Sequence, residues 1–479
     1  MFDVPVELWL NILSYMSVSD IRPLSESCKV LRDITIPFLF KTIITRPFYK
    51  GNPNIIQQGL IRLGITSLGL SARLPRNCSQ LLGIPRISQA IETLAILPHG
   101  ITLGDYRAST RKQFSIVDLH IDEILELLPN LPNLKHLICA YVPLPKRDIN
   151  RIVQLPLKRL ELHRCTPIAE KPVTAQGSGT LESVKIDFDP EPTFSFAERT
   201  YLFLALFSEA PNLKYIHSTA VVDVPYTITK SRPPSLTTLN LPVCVTWESA
   251  GCFATALGAC PWLKTLILRC PPGQDIYLPM DALQPNSLPK LEHYAGPAAY
   301  MDLTSNRPSV KDVHLFHTEF VAIPGHSIHL IPQTLRSFKC TSHTIGPFFF
   351  PSVHSHFSSH PWSALESLTI LYQDFSKEYH GLSRLLDDTS LVPLPSIRQF
   401  SFYASLGPRK CLEATLNGCL PNLLRIYPNL EEATFIHSAD CKTELGLVWV
   451  RSREGDNSEE VTGSLEFVEV NEEQLWLSL

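Results

Sequence analysis

The stretch LKRLELHRC, residues 157–165, decides how the rest of the chain is read. Leu157, Leu160 and Leu162 are apolar, while Arg159, Glu161 and His163 alternate with the last two of them. Alternation with period 2 is the pattern of a short strand buried on one face. The same pattern, Leu-x-x-Leu-x-Leu, returns as LTTLNL at 236–241 and LKTLIL at 263–268. Weaker copies begin at Ile91, Leu134, Leu181, Leu213, Leu291, Val310, Leu335, Leu365, Ile397, Leu430 and Leu465. From Leu134 onward successive copies start 19 to 35 residues apart, and the 43 residues between Ile91 and Leu134 leave room for a degenerate copy.

Eight of the fourteen copies carry proline two residues before the first anchor: Pro132, Pro211, Pro234, Pro261, Pro289, Pro308, Pro395 and Pro428. Forty prolines in 479 residues would put roughly one there by chance. Proline lacks an amide hydrogen and steers its predecessor away from helix, so each marks where one segment ends and a strand begins. Helical stretches are expected between strands at 117–128, 196–209, 247–259 and 410–427, the last with a break at Pro421. Strand, turn, then helical or irregular return, repeated at 20 to 35 residues, describes a parallel solenoid.

The repeat resembles the leucine-rich repeat. That longer pattern places Asn or Cys inside the turn after the strand, where it bonds neighbouring backbone groups, and Cys165 and Cys244 stand at this position in two copies. The resemblance covers roughly residues 85–470. It implies an α/β fold, a horseshoe-like solenoid whose parallel strands line the concave face.

Composition narrows the function classes. Lys plus Arg is 42 against 46 for Asp plus Glu, a formal charge of −4, and no basic block stands out, which argues against a nucleic-acid binder or a membrane-surface protein. The longest apolar runs, such as residues 201–207, fall far short of the ~20 residues of a membrane span. Twelve cysteines without a Cys-x-x-Cys pair, and a start without a basic leader, point to reduced thiols in the cytoplasm and/or nucleus.

The first 45 residues differ from the rest. Asp3 is placed to cap a helix that holds Pro5 in its first turn, and Leu8, Trp9, Ile12, Leu13 and Met16 form one apolar stripe along it. Ser19 is placed to cap a second helix over 20–33, with Ile21, Leu24, Cys28 and Leu31 on one face; Pro37 then interrupts, and KTII at 41–44 reads as a strand. A segment of about 40 residues with one cysteine and no histidine buries too little to fold alone, so its stripe needs cover. Either the first repeat or a partner supplies it.

The residues of this segment resemble an F-box. That family runs approximately Leu-Pro-x-Glu-Leu, Ile-Leu-x-x-Leu, Asp-Leu, Val-Cys-(Lys/Arg)-x-Trp and Leu-Trp. Pro5, Glu7, Leu8, Ile12, Leu13, Asp20, Cys28, Lys29 and Leu39 match it. Val4, Met16, Ile21 and Phe40 depart conservatively, and Ser27 and Leu31 replace its Val and Trp. The order of F-box then repeats is similar to a fungal F-box family type. The resemblance implies that residues 1–45 dock a Skp-type adaptor, and through it a cullin-RING ubiquitin ligase, with Pro5, Leu8, Ile12, Leu13, Leu24, Cys28 and Leu31 at the contact. Residues 46–84 would then form a linker or N-terminal cap, and residues 85–479 the solenoid with its C-terminal cap, holding a protein substrate. The alternative is a non-catalytic repeat scaffold whose N-terminal helices only cap the solenoid.

No enzyme signature competes with this. The chain has no Gly-x-Ser-x-Gly elbow, Walker loop, Gly-x-Gly-x-x-Gly or His-Glu-x-x-His, so no cofactor and no catalytic residue is expected. HSHFSSH, with His354, His356 and His360, reads as a loop of solvated histidines in preference to a metal site. Function is therefore expected on a surface. The strand positions between anchors supply candidate substrate contacts: Arg159, Glu161 and His163; Lys185 and Asp187; Tyr215 and His217; His293; His314 and Phe316; and Tyr403.

Overall fold

The apolar anchors become buried strands. The computed structural model describes residues 6–45, 84–96, 124–140, 142–168, 179–187, 196–207, 210–220, 223–242, 247–269, 287–304, 307–316, 332, 334–342, 364–372, 391–404, 409–439, 443–451 and 463–470. The chain divides into two compact units, Met1–Leu236 and Thr237–Leu479.

In the first unit, β1 (Thr42–Thr45), β2 (Thr93–Ile96), β3 (His136–Ala140), β5 (Arg159–His163), β7 (Ser183–Asp187) and β8 (Tyr215–Ser218) pair in that order, all parallel. Between them β4 (Pro143–Pro145) pairs with β6 (Thr166–Ile168) in a separate two-stranded sheet. In the second unit, β9 (Thr238–Pro242), β10 (Thr265–Arg269), β11 (His293–Pro297), β12 (Asp312–Phe316), β13 (Ser337–Ser342), β14 (Ser367–Tyr372), β15 (Gln399–Ala404) and β16 (Glu432–Ala439) continue the parallel pattern. Then the direction changes. β17 (Thr443–Arg451) runs antiparallel to β16, and β18 (Gly463–Val470) antiparallel to β17.

Each copy from Ile91 to Leu430 places its anchors in the core; Leu157, Leu160 and Leu162 are at most 2% exposed. A fully buried Leu contributes about 1.5–3 kcal/mol, so the stacked anchors dominate the stability of both units. Two third-anchor positions, Ser218 and Gly296, carry no apolar side chain. Ser218 is buried and its hydroxyl accepts from the Ala220 amide at 3.0 Å. Gly296 makes room for Tyr294, whose hydroxyl donates to the Pro297 carbonyl at 2.9 Å; a Cβ on Gly296 would lie 2.6 Å from that hydroxyl.

The prolines have a sharper role than ending a segment. In each of the eight copies, the first-anchor amide bonds the carbonyl three residues back, as from Leu134 to Leu131 and from Leu263 to Cys260. Proline therefore occupies the second position of a hydrogen-bonded turn, where its fixed φ suits the backbone and no amide is required. Asn133, Asn212 and Asn429 follow three of these prolines and donate side-chain bonds to carbonyls of the neighbouring repeat.

The residue after the first anchor forms a charged edge. Glu92 faces Lys41 and Lys135, Glu182 faces Lys158 and Lys214, and in the second unit Glu292 faces Lys264 and Lys311. Exposed pairs of this kind contribute little individually.

Several expectations are corrected. β2 pairs directly with β3, so the long gap after Ile91 inserts no strand into the sheet. The copy at Leu465 belongs to β18, the last strand of an antiparallel meander. The helix expected at 410–427 runs unbroken through Pro421 as Arg409–Ile426, while Phe196–Phe207 and Trp247–Gly258 form as expected. Of 117–128, only residues 124–128 are described; 124–127 are helical and lead into the 3-10 turn Leu128–Asn130. Helices Lys146–Gln154 and Asp223–Ser231 were not anticipated.

At the N-terminus there are three helices: α1 (Val6–Tyr15), α2 (Val18–Ser27) and α3 (Lys29–Leu39). The expected helix over 20–33 is cut at Cys28, whose extended backbone ends α2 and whose sulfur accepts from the Leu31 amide to cap α3. Ser17, immediately before α2, takes the capping role expected of Ser19. Pro37 lies inside α3 and does not end it. α3 packs against α1, α2 and the short helix Pro85–Ala90, and Asp33 pairs with Arg86 at 2.5 Å.

Candidate functional site

Parallel strands in register bring every second residue of neighbouring repeats into rows on one face. In the first unit Ile138, Glu161, Lys185 and His217 form one such row, and Ala140, His163 and Asp187 the next. His136, Arg159, Ser183 and Tyr215 form the row before them. The candidate residues Arg159, Glu161, His163, Tyr215 and His217, with Lys185 and Asp187, therefore share one surface.

Five of these side chains make a continuous hydrogen-bonded row across four strands. His136 Nε2 lies 2.9 Å from Glu161 Oε1, and His163 Nε2 lies 3.2 Å from Glu161 Oε2. His163 Nδ1 lies 3.1 Å from Asp187 Oδ2, and His217 Nε2 lies 3.1 Å from Asp187 Oδ1. An ionised carboxylate only accepts, so each imidazole nitrogen donates. His163 donates from both nitrogens, which only an imidazolium does. All four carboxylate oxygens are thus occupied.

The electrostatics follow from this geometry. Burial alone would raise the Glu161 carboxyl, but hydrogen bonds from His136 and His163 outweigh it and hold the group well below the usual carboxylate range. Asp187 is held low in the same way, against burial, by His163 and His217. Burial and the nearby Lys185 both oppose charge on His163, yet its bonds to Asp187 and Glu161 raise its pKa.

A pH dependence of stability results. The depressed carboxylates contribute stability above about pH 4.5 that is lost as pH falls, and the raised imidazole contributes stability below about pH 6.5 that is lost as pH rises through its folded value. The difference in melting temperature between the parent chain and His163→Gln is therefore expected to peak near pH ~5.5 and shrink toward pH ~9. A difference constant across that range would show that His163 is not held as an imidazolium.

His136 was not among the sequence candidates, although it stands at the same place before the second anchor as Arg159 and Tyr215. The remaining candidates lie in the second unit. His293 is exposed and its Nδ1 meets Asp312 at 2.5 Å, which raises its pKa. His314 is a correction: it is buried, with its ring packed edge-on to Phe316 at a centroid distance of 4.4 Å. Phe316 is half-buried at the end of β12, and Tyr403 pairs through its backbone with Leu371. Cys165 behaves as the turn residue expected of it, its sulfur donating to the Cys139 carbonyl at 3.3 Å. Cys244, His354, His356 and His360 lie outside the described residues. Among the described residues no group of three or more His, Cys, Asp or Glu is arranged to hold a metal ion.

The second candidate surface is α1. Its expected single stripe splits in two. Trp9, Leu13 and Met16 turn inward, and Leu13 is 1% exposed. Leu8, Ile12 and Tyr15, at i, i+4 and i+7, face outward at 53%, 49% and 86% exposure. Leu31 is covered by the chain itself at 7%, so Leu13 and Leu31 are core residues and not the contact residues expected of them. Leu24 and Cys28 are half-buried, and Pro5 lies outside the described residues.

No protein-family model matches the chain, and no curated protein matches it. Among solved structures, a crystal structure of a TLR13–ssRNA13 complex matches at 13% identity and a TM-score of 0.29, over 68% of this chain and 38% of that one. The leucine-rich repeat-containing protein LegL7 from Legionella pneumophila matches at 9% identity and a TM-score of 0.31, over 83% of this chain and 91% of that one. The chain thus spans well under half the length of the TLR13 chain. The repeats are leucine-rich in spacing and in strand register. That description rests on the buried anchors and the parallel pairing. No helix among the described residues is long and apolar enough to cross a membrane.

Proposed function

We infer that the chain is a non-catalytic substrate receptor: its N-terminal helices dock a Skp-type adaptor of a cullin-RING ubiquitin ligase, and its repeats hold a protein target in the cytoplasm or nucleus. The observation that carries this reading is the outward row Leu8, Ile12 and Tyr15 on α1, within a segment whose residues resemble an F-box. Three large apolar side chains in line on one helix are the anchors a helix presents to a hydrophobic groove. Val30 on α3 is exposed as well. With Leu13 and Leu31 inside, the docking surface of this reading is narrower than the sequence implied.

The double variant Leu8→Asp/Ile12→Asp tests it. Burying both side chains at an interface contributes on the order of 3–6 kcal/mol, so capture of a purified Skp-type adaptor should fall at least ~100-fold. Both residues are exposed in the chain, so the melting temperature should stay within about 2 °C of the parent. Undiminished capture by the folded variant would remove α1 as the docking helix.

A second reading, a scaffold whose helices only cap the repeats, is favoured by one specific arrangement: α3 packs on the helix Pro85–Ala90 and leads into β1, which pairs with β2. Capping and docking use different faces of the same helices. The scaffold reading alone predicts that the intact chain captures no adaptor.

A further inference from the structure

On the candidate face of the first unit, the acids are occupied and two of the cations are not. Glu161 and Asp187 spend all four oxygens on imidazoles. Arg159, exposed, and Lys185, half-buried, have no carboxylate partner among the described residues. The lysines on the sheet's edge are different, since Lys41, Lys135, Lys158 and Lys214 each face Glu92 or Glu182.

Arg159 pairs with Ser183, and Lys185 lies two residues further along the same strand, so the two cations are diagonal neighbours on one face. One strand spacing across and two residues along separate their Cα atoms by about 8 Å. His163, an imidazolium by its hydrogen bonds, is a diagonal neighbour of Lys185 across the β5–β7 pair, while Glu161 stands directly opposite Lys185. Arg159, Lys185 and the His163 imidazolium carry three positive charges against the two of Glu161 and Asp187, whose oxygens are taken up by imidazoles, so the face keeps a net positive charge that an anion placed over Arg159 and Lys185 offsets.

We propose that this face recognises an extended acidic segment of a protein target, in which two carboxylate side chains at i and i+2 meet Arg159 and Lys185. Alternate residues of an extended chain lie on one side at about 7 Å, which matches the separation of the two cations. Arg159 supplies a two-pronged donor set suited to one carboxylate, and Lys185 a point charge for the other. His136, Tyr215 and His217 flank the pair on neighbouring strands. On the β2 side, Thr93 and Ala95 bring no ionisable group.

The inference rests on reading the repeats as the target-binding surface, but its test does not involve the adaptor, so either can fail while the other stands. A fluorescein-labelled peptide containing Glu-Thr-Glu, with Gln-Thr-Gln and Lys-Thr-Lys counterparts, is titrated with the full chain and followed by anisotropy. Only the Glu peptide should bind, and Arg159→Gln/Lys185→Gln should weaken it at least tenfold. The charge reversal Arg159→Glu/Lys185→Glu should abolish binding. Lys158→Glu, on the charged edge, should change affinity by less than threefold. Both substituted side chains face outward, and unchanged melting confirms that the variants are folded. Equal binding of the Gln peptide, or binding by the folded reversal variant equal to that of the parent, would overturn the proposal.

Discussion

Asp223→Ala is expected to destabilise the first unit by about 3–5 kcal/mol, the cost of leaving one member of a buried ion pair without its partner. Asp223 is 1% exposed and opens the helix Asp223–Ser231. Its Oδ2 takes a bond from Arg199 Nε at 3.1 Å and its Oδ1 one from the Thr200 hydroxyl at 3.0 Å, both on the helix Phe196–Phe207. One carboxylate thus ties two helices together and places negative charge at the positive end of its own helix. Burial raises its pKa, opposed by Arg199 and the bond from Thr200. Removing it takes the buried carboxylate away from the Arg199 guanidinium, which is itself largely covered. The melting temperature should fall by on the order of 10 °C, read by circular dichroism. Thr200→Val, which removes one neutral donor, should cost no more than about 1.5 kcal/mol. Equal losses from the two variants would mean that the charge pair contributes nothing beyond a hydrogen bond.

Neither partner of that pair was visible in the sequence, because Arg199 and Asp223 stand 24 residues apart with no pattern joining them. The anchors were visible for the opposite reason. A strand with one buried face must alternate, so Leu160 and Leu162, Leu239 and Leu241, and Leu266 and Leu268 reported their own burial. Alternation identifies a face but carries no direction. The copy at Leu465 looks like the others, yet β18 closes an antiparallel meander. Cys28 misled for a related reason, since the 3-4-3 spacing of Ile21, Leu24, Cys28 and Leu31 continues across a one-residue break between α2 and α3.

For the site, period 2 placed Glu161, His163 and His217 on the outer face, but their hydrogen bonds depend on lateral register between strands separated by irregular returns. His314 occupies the same kind of position and is nonetheless buried, beside Phe316 and between Ala295 and Lys339 in register. A polar position between anchors is outward by rule, and its neighbours decide whether it is exposed.

Deleting residues 1–45 should lower the stability of the first unit by on the order of 5 kcal/mol or more. β1 is the outer partner of β2, and Lys41 accepts backbone bonds from Glu92 and Thr93. Its removal leaves one side of β2 without partners, a bare sheet edge that also invites pairing with other chains. α3 covers the helix Pro85–Ala90, and the Asp33–Arg86 pair goes with it. A solenoid that loses its terminal cap exposes its core at that end. The truncated chain should therefore melt at least ~10 °C lower, with greater loss to aggregation. Failure of such a chain to capture the adaptor then says nothing about docking, since it fails on both readings. The outward residues separate them: Leu8→Asp/Ile12→Asp leaves Leu13, Leu31 and β1 in place, so the cap persists while the proposed docking row is gone. A receptor loses adaptor capture in the double variant and stability in the truncation, whereas a capped scaffold shows the second loss and has no capture to lose.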